Sequence, residues 1–123
     1  GFVQPADQSA LYARHGVFVL ASRFDPWPLV IVEACAAGLP VICTEACGSA
    51  VELLRTYYNG LTVPADNVEA LTGALRYMHT HHAELPEMGR RSLALAEPFG
   101  ADFWARRWIE MIDEVCPRQR LLP

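Results

Sequence analysis

The residues best able to do chemistry are two carboxylates and the loop between them. Asp25 and Glu33 flank Pro26-Trp27-Pro28 and the apolar run Leu29-Val30-Ile31-Val32. Pro28 disfavours the helical region for Trp27, so a helix starts at or just after Pro28 and Asp25 is not its N-cap. The Asp25 carboxylate is then free for another partner. Glu33 falls in the second helical turn among Val30, Ile31, Val32, Ala34, Cys35, Ala36 and Ala37, where a carboxylate is costly unless something hydrogen-bonds it. The N-terminus of this helix offers its dipole and the amides of Leu29 and Val30, which suits a diphosphate. Pro28 has no amide proton and adds no donor. A second stretch, Gly48-Ser49, would let backbone approach a ligand closely. Plainer readings stand beside these: an Asp-Pro turn for Asp25, an ion pair with Arg23 or Arg55 for Glu33, core packing for Trp27, and an ordinary turn for Gly48.

These residues need a scaffold. Val17-Phe18-Val19-Leu20 and Val41-Ile42-Cys43 are apolar without alternation, as in strands covered on both faces. With a helix over 28–37 between them, stopped by Gly38, they make a βαβ unit with parallel strands and a right-handed crossover. The Asn59-Gly60 turn signal precedes a third strand over 61–63. Helices are predicted over 6–15, 50–55, 87–96 and 102–116, and another opens at a capping box formed by Asp66 and Glu69. That one carries Val68, Leu71, Leu75 and Met78 on one face. The last carries a stripe of Trp104, Trp108, Met111, Ile112 and Val115. Residues 1–3 read as the tail of a further strand. The fold class is α/β: a partial Rossmann-like, doubly wound parallel sheet flanked by helices, with three strands where five or six are usual. Such sheets bind ligands beyond the carboxyl ends of their strands, so loops 21–27 and 44–49 should line one crevice.

The motif Asp25-x7-Glu33 runs on into Glu33-Ala-Cys-Ala-Ala-Gly-Leu-Pro-Val-Ile42. Cys47-Gly48-Ser49-Ala50-Val51-Glu52-Leu53 and Asn59-Gly60-Leu61-Thr62-Val63-Pro64 follow in order. Together these resemble the Glu-x7-Glu region of retaining GT-B glycosyltransferases, in particular the group 1 family that uses nucleotide sugars. The resemblance is close over residues 15–80 and looser at the flanks. It implies the second, donor-binding domain of a GT-B fold, with residues 1–123 as a single, incomplete nucleotide-sugar-binding domain. By the same resemblance, Glu33 accepts hydrogen bonds from the ribose hydroxyls, and a carboxylate does offer paired acceptors to a vicinal diol. Asp25 takes the catalytic position against the transferred sugar, Trp27 walls the sugar pocket, and Leu29, Val30, Gly48 and Ser49 contact the nucleotide sugar. Asp25 stands where the family usually has Glu, and Pro28 where it commonly has Gly.

The implied reaction moves a sugar from a nucleotide diphosphate to a glycan, polysaccharide or lipid-linked acceptor with retention, with no cofactor and no essential metal. The basic residues that neutralise the leaving diphosphate in this family lie upstream of the motif, and the acceptor belongs to the other domain. This piece alone is therefore expected not to catalyse. The implied setting is polysaccharide biosynthesis in the cytoplasm, or peripherally at the inner face of the membrane. In the family the final helix often crosses back onto the first domain, so Trp104 and Trp108 would be left exposed or used in self-association. Two rivals remain: a non-catalytic nucleotide-sugar-binding or interaction module, which the Asp25 and Pro28 departures favour, and a GT-B sugar-nucleotide epimerase.

Composition narrows the field. The chain has 123 residues, 52% hydrophobic and 20% charged, enough for a modest core and neither disordered nor membrane-spanning in pattern. A net charge of -4 argues against nucleic acid as the main partner. Cys35, Cys43, Cys47 and Cys116 lack the paired Cys-x2-Cys spacing of a zinc site and read as reduced thiols. His79, His81 and His82 cluster at a helix end without an acid or cysteine at ligand spacing, so no metal site is assigned. The opening Gly-Phe-Val reads as a cut rather than a natural start.

Overall fold

The computed structural model describes residues 3–116, so the expectation for residues 1 and 2 lies outside them. Three strands, β1 (Phe18–Leu20), β2 (Val41–Thr44) and β3 (Gly60–Val63), form one parallel sheet in the order β1-β2-β3. Phe18 lies opposite Val41, and Val41 opposite Gly60. Two helices follow in the connections: α2 (Leu29–Ala36) between β1 and β2, and α3 (Ala50–Leu53) between β2 and β3. The expected pair of parallel neighbours joined through the Glu33 helix is therefore present.

Every residue of β2 is buried, and its side chains divide between two cores. Val41 and Cys43 join Ile31, Ala34, Cys35 and Leu53 on one face. Ile42 joins Leu61, Val63, Ala74, Met78 and Met88 on the other. This is the alternation that a pleated strand imposes, with both faces filled by apolar groups because both are covered. The second face is covered by α4 (Val68–Thr80) and the start of α5 (Leu85–Ala96), and Ala96 at the far end of α5 reaches the first. At the N-terminal side, α1 (Pro5–Tyr12) sets Tyr12 edge-on to Phe18, with ring centroids 6.0 Å apart.

Gly38 does stop α2. Its φ of 74° lets its amide reach Cys35 O at 2.9 Å while the amide of Leu39 reaches Ala34 O at 3.0 Å, the paired bonds of a Schellman motif. The same turn receives α5: a Cβ on Gly89 would lie 2.1 Å from the Gly38 carbonyl oxygen. The cap of α4 differs from expectation. Asn67, not Asp66, is the N-cap, and its side chain accepts from Ala70 N at 2.9 Å. Asp66 sits just outside with φ 56°, ion-paired to Arg23 at 2.7 Å. Asn and Asp both cap helices well, so composition alone does not choose between neighbours.

The turn before β3 is locked by Asn59, which is fully buried. Its Oδ1 accepts from Arg55 N at 2.8 Å, and its Nδ2 donates to Leu53 O at 2.9 Å and to Ser92 Oγ at 3.2 Å. Asn59→Ala strips these partners and leaves buried groups unpaired, so a loss of about 2–4 kcal/mol in denaturant unfolding is expected.

The last helix, α6 (Ala101–Val115), buries no residue. Trp104 and Trp108 are 54% and 48% exposed, and Ile112 is 55% exposed, so the apolar stripe is present and uncovered. Among the described residues no helix is long and apolar enough to cross a membrane. Cys35, Cys43 and Cys47 are buried free thiols, whereas Cys116 is exposed. Burial pushes the thiols of Cys35 and Cys43 up to about 11 and about 12. At pH 8 iodoacetamide should therefore label Cys116 rapidly and the other three slowly, read by mass spectrometry of the native chain against the denatured one.

Candidate functional site

Backbone hydrogen bonds bring the loops after β1 and β2 together. The amide of Asp25 donates to Ala46 O at 3.1 Å and the amide of Gly48 donates to Asp25 O at 2.9 Å, extending parallel pairing past the strand ends to Asp25 and Cys47. Thr44 Oγ1 adds a bond to Ser22 O. Asp25, Trp27, Gly48 and Ser49 thus belong to one joined wall at the carboxyl end of the sheet.

Each member of that wall has a local duty. The Asp25 carboxylate is not the N-cap, as expected, but neither is it idle: Oδ1 accepts the amide of Trp27 at 3.2 Å, the local bond of an Asx turn. Pro28 is the N-cap of α2, and no side chain caps this end. The first-turn amides of Leu29 and Val30 therefore lack a side-chain acceptor, the arrangement that favours an anion. Ser49 is fully buried, and its hydroxyl donates to Pro28 O at 3.1 Å, tying the start of α3 to the start of α2. The close approach that glycine permits at position 48 is made by this chain's own loop: a Cβ there would lie 2.0 Å from Pro26 O. Trp27 is 47% exposed and tilts against Phe99, with ring centroids 6.5 Å apart.

Glu33 lies elsewhere, on the exposed side of α2, whose buried side consists of Ile31, Ala34 and Cys35. The cost of a carboxylate among apolar neighbours is avoided by this orientation. Neither arginine considered for it is its partner: Arg23 pairs with Asp66, and Arg55 donates to the carbonyls of Val51 and Leu54. Instead Gln8 Nε2 and Tyr12 Oη donate to Glu33 Oε2, the latter at 3.2 Å. These three side chains border a cleft of about 510 Å³ between α1 and α2. Gln8 and Tyr12 did not stand out in the sequence. The usable signal was their spacing of four on a helix, which puts both on one face.

The histidines serve the end of α4 and the turn after it. His81 stacks on Tyr77 at 4.0 Å, and His82 Nδ1 lies 3.1 Å from His79 O. A hollow of about 270 Å³ beside α6 is walled by Phe103, Trp104, Trp108 and Met111, with Arg107 as its charged group. It lacks the converging polar groups of a nucleotide site.

Residues 1–92 match the family model described as glycosyl transferases group 1. The chain belongs to that family. A curated relative, an exopolysaccharide phosphotransferase of Streptomyces coelicolor, is 30% identical over 88% of this chain and 12% of its own length. Among solved structures, the sucrose-phosphate synthase of Thermosynechococcus elongatus superposes with a TM-score of 0.82 at 23% identity, over 94% of this chain and 29% of that one. Anabaena HepE, solved in complex with UDP, gives 0.75 at 23% identity, over 85% and 29%. This group 1 chain thus spans under a third of the proteins it resembles, and its sheet and helices are part of a GT-B, Rossmann-like fold.

The joined loops give a direct test. Gly48→Ala must separate Pro26 from residue 48, which should cost about 1–3 kcal/mol and lower the melting temperature by roughly 5 °C or more. Gly73→Ala is the control, because nothing lies within 4 Å of a Cβ there and alanine is the better helix former.

Proposed function

We propose that this chain supplies the nucleotide-sugar side of a retaining glycosyltransferase site, as a single domain that needs a second one to catalyse. The observation that carries the reading is Glu33, an exposed carboxylate on α2 held by neutral hydrogen-bond donors. One turn along the helix from its uncapped N-terminus, Glu33 stands at the edge of a cleft that runs from α1 to the C-terminal end of α2. Its chemistry matches the vicinal hydroxyls of a ribose, and the amides of Leu29 and Val30, one turn earlier on the helix, match a diphosphate. Membership of the group 1 family supports the same assignment, and the UDP named with the HepE structure is a ligand of that chemical class. Asp25, with Trp27 beside it, faces the transferred sugar in this reading. Gly48 and Ser49 contribute by fixing the wall that carries Asp25 as well as by their own backbone. The acceptor, a glycan or a lipid-linked sugar, is bound by the other domain.

A non-catalytic binding module is the second reading. It is favoured by the Asp25 carboxylate being engaged with the Trp27 amide, and by Pro28 supplying no amide where the helix begins. The two readings part on turnover of a nucleotide sugar by the whole protein, since both include binding.

The assignment of Glu33 is tested in the whole protein by Glu33→Gln, which keeps the shape and removes the charge. A hydrogen bond to a charged group contributes about 1.5–3 kcal/mol, so calorimetry should give a nucleoside diphosphate affinity roughly ten- to hundredfold weaker, with the melting temperature unchanged. An inorganic diphosphate, which has no ribose, should bind both proteins equally. An unchanged dissociation constant for the nucleotide would remove Glu33 from the site, and a lowered melting temperature at constant affinity would make it a structural carboxylate.

A further inference from the structure

We propose that Gln8 and Tyr12 are positioning residues for Glu33, gripping its carboxylate by Oε2 and turning Oε1 toward the ribose diol of a nucleoside diphosphate. The inference rests on the reading of Glu33 as a ribose ligand and adds the device that orients it. Three contacts close a triangle: Gln8 Nε2 to Glu33 Oε2, Tyr12 Oη to the same oxygen at 3.2 Å, and Gln8 Nε2 to Tyr12 Oη at 3.0 Å. A carboxylate oxygen offers about two lone-pair sites, so two donors fill Oε2. Oε1 has no recorded partner among the described residues, and its two sites match the two adjacent hydroxyls of a ribose.

The grip is itself anchored. Gln8 and Tyr12 are four apart on α1 and share a face, while the Tyr12 ring packs edge-on against Phe18 of β1. Burial, with Glu33 adding to it, raises the pKa of the Tyr12 phenol, so the hydroxyl stays protonated and able to donate at neutral pH. An exposed glutamate otherwise loses rotamer freedom when a ligand fixes it, and fixing it beforehand removes that cost from binding. Neutral donors suit the task better than an arginine, whose fork would engage both carboxylate oxygens and compete with the diol. The opposing possibility is that the triangle only fastens α1 to the domain.

Calorimetry on the whole protein separates these. UDP, ADP and GDP are titrated first, and the tightest binder is then compared with its 2′,3′-dideoxy form. Tyr12→Phe keeps the ring and loses the hydroxyl, and Gln8→Ala removes the other donor. Each is expected to weaken the ribonucleotide about three- to tenfold while leaving the dideoxynucleotide unchanged. In a Glu33→Ala background neither substitution should have any further effect, because nothing remains to be held. Equal losses in both backgrounds, equal losses for both ligands, or a lowered melting temperature with no change in affinity would each overturn the positioning role while leaving Glu33 in place. If no nucleotide binds, or binding ignores Glu33→Ala, the reading of Glu33 as a ribose ligand fails and this inference falls with it.

Discussion

The structure depends on the burial of β2. All four of its residues are inside, its backbone is paired with β1 and β3, and its side chains are divided between two cores. A strand in that position meets no water on either edge or face, so each polar backbone group must be bonded and each face must be covered. Helices α2, α3 and α5 meet the first demand for cover, and α4 with the start of α5 meets the second. Because the covered strands are parallel, the loops that leave their carboxyl ends gather at one edge of the sheet, and the candidate site is assembled there.

At that edge the backbone continues the sheet by other means. Asp25 pairs with the segment of Ala46 to Gly48, Ser49 reaches Pro28, and Thr44 reaches Ser22, so two loops behave as one wall. No buried side-chain nitrogen or oxygen among the described residues lacks a partner. A wall so bonded holds its amides and the Asp25 carboxylate in fixed positions before any ligand arrives, which lowers the ordering cost of binding. The requirement for glycine at position 48 follows from this closeness and not from an unusual φ.

Charge plays a smaller part than hydrogen bonding. The Arg23–Asp66 pair spans the loops after β1 and β3, but its side chains are 84% and 65% exposed, where an ion pair contributes little. Glu87 is held down to about 2 by Arg90, with Arg91 adding to the effect, and belongs to the surface of α5. Glu33, the carboxylate that matters most to the proposed chemistry, is partnered by an amide and a phenol. It therefore keeps one carboxylate oxygen open to hydroxyl groups.

The sequence by itself determined the scaffold. The unbroken apolar runs over 17–20 and 41–43, the stop at Gly38 and the turn at Asn59-Gly60 are local signals, and each has its element in the structure. Strand β1, at the end of the three-stranded order, is not covered on both faces as its apolar run suggested, since Val19 is 39% exposed. The motif around Asp25 and Glu33 also gave the family, because residue type and spacing are properties of the chain alone. Local signals were weaker where neighbours compete, as at Asp66 and Asn67, since both side chains can cap a helix and only packing chooses. Tertiary structure decided the rest. It turned Glu33 outward, and gave it Gln8 and Tyr12, from 25 and 21 residues away, in place of an arginine. It made Gly48 a contact with Pro26, and Asn59 a buried hub shared with Ser92. These contacts join residues far apart in the chain, and no local propensity encodes them: they exist only once two covered faces of one sheet have fixed where each helix and loop must lie.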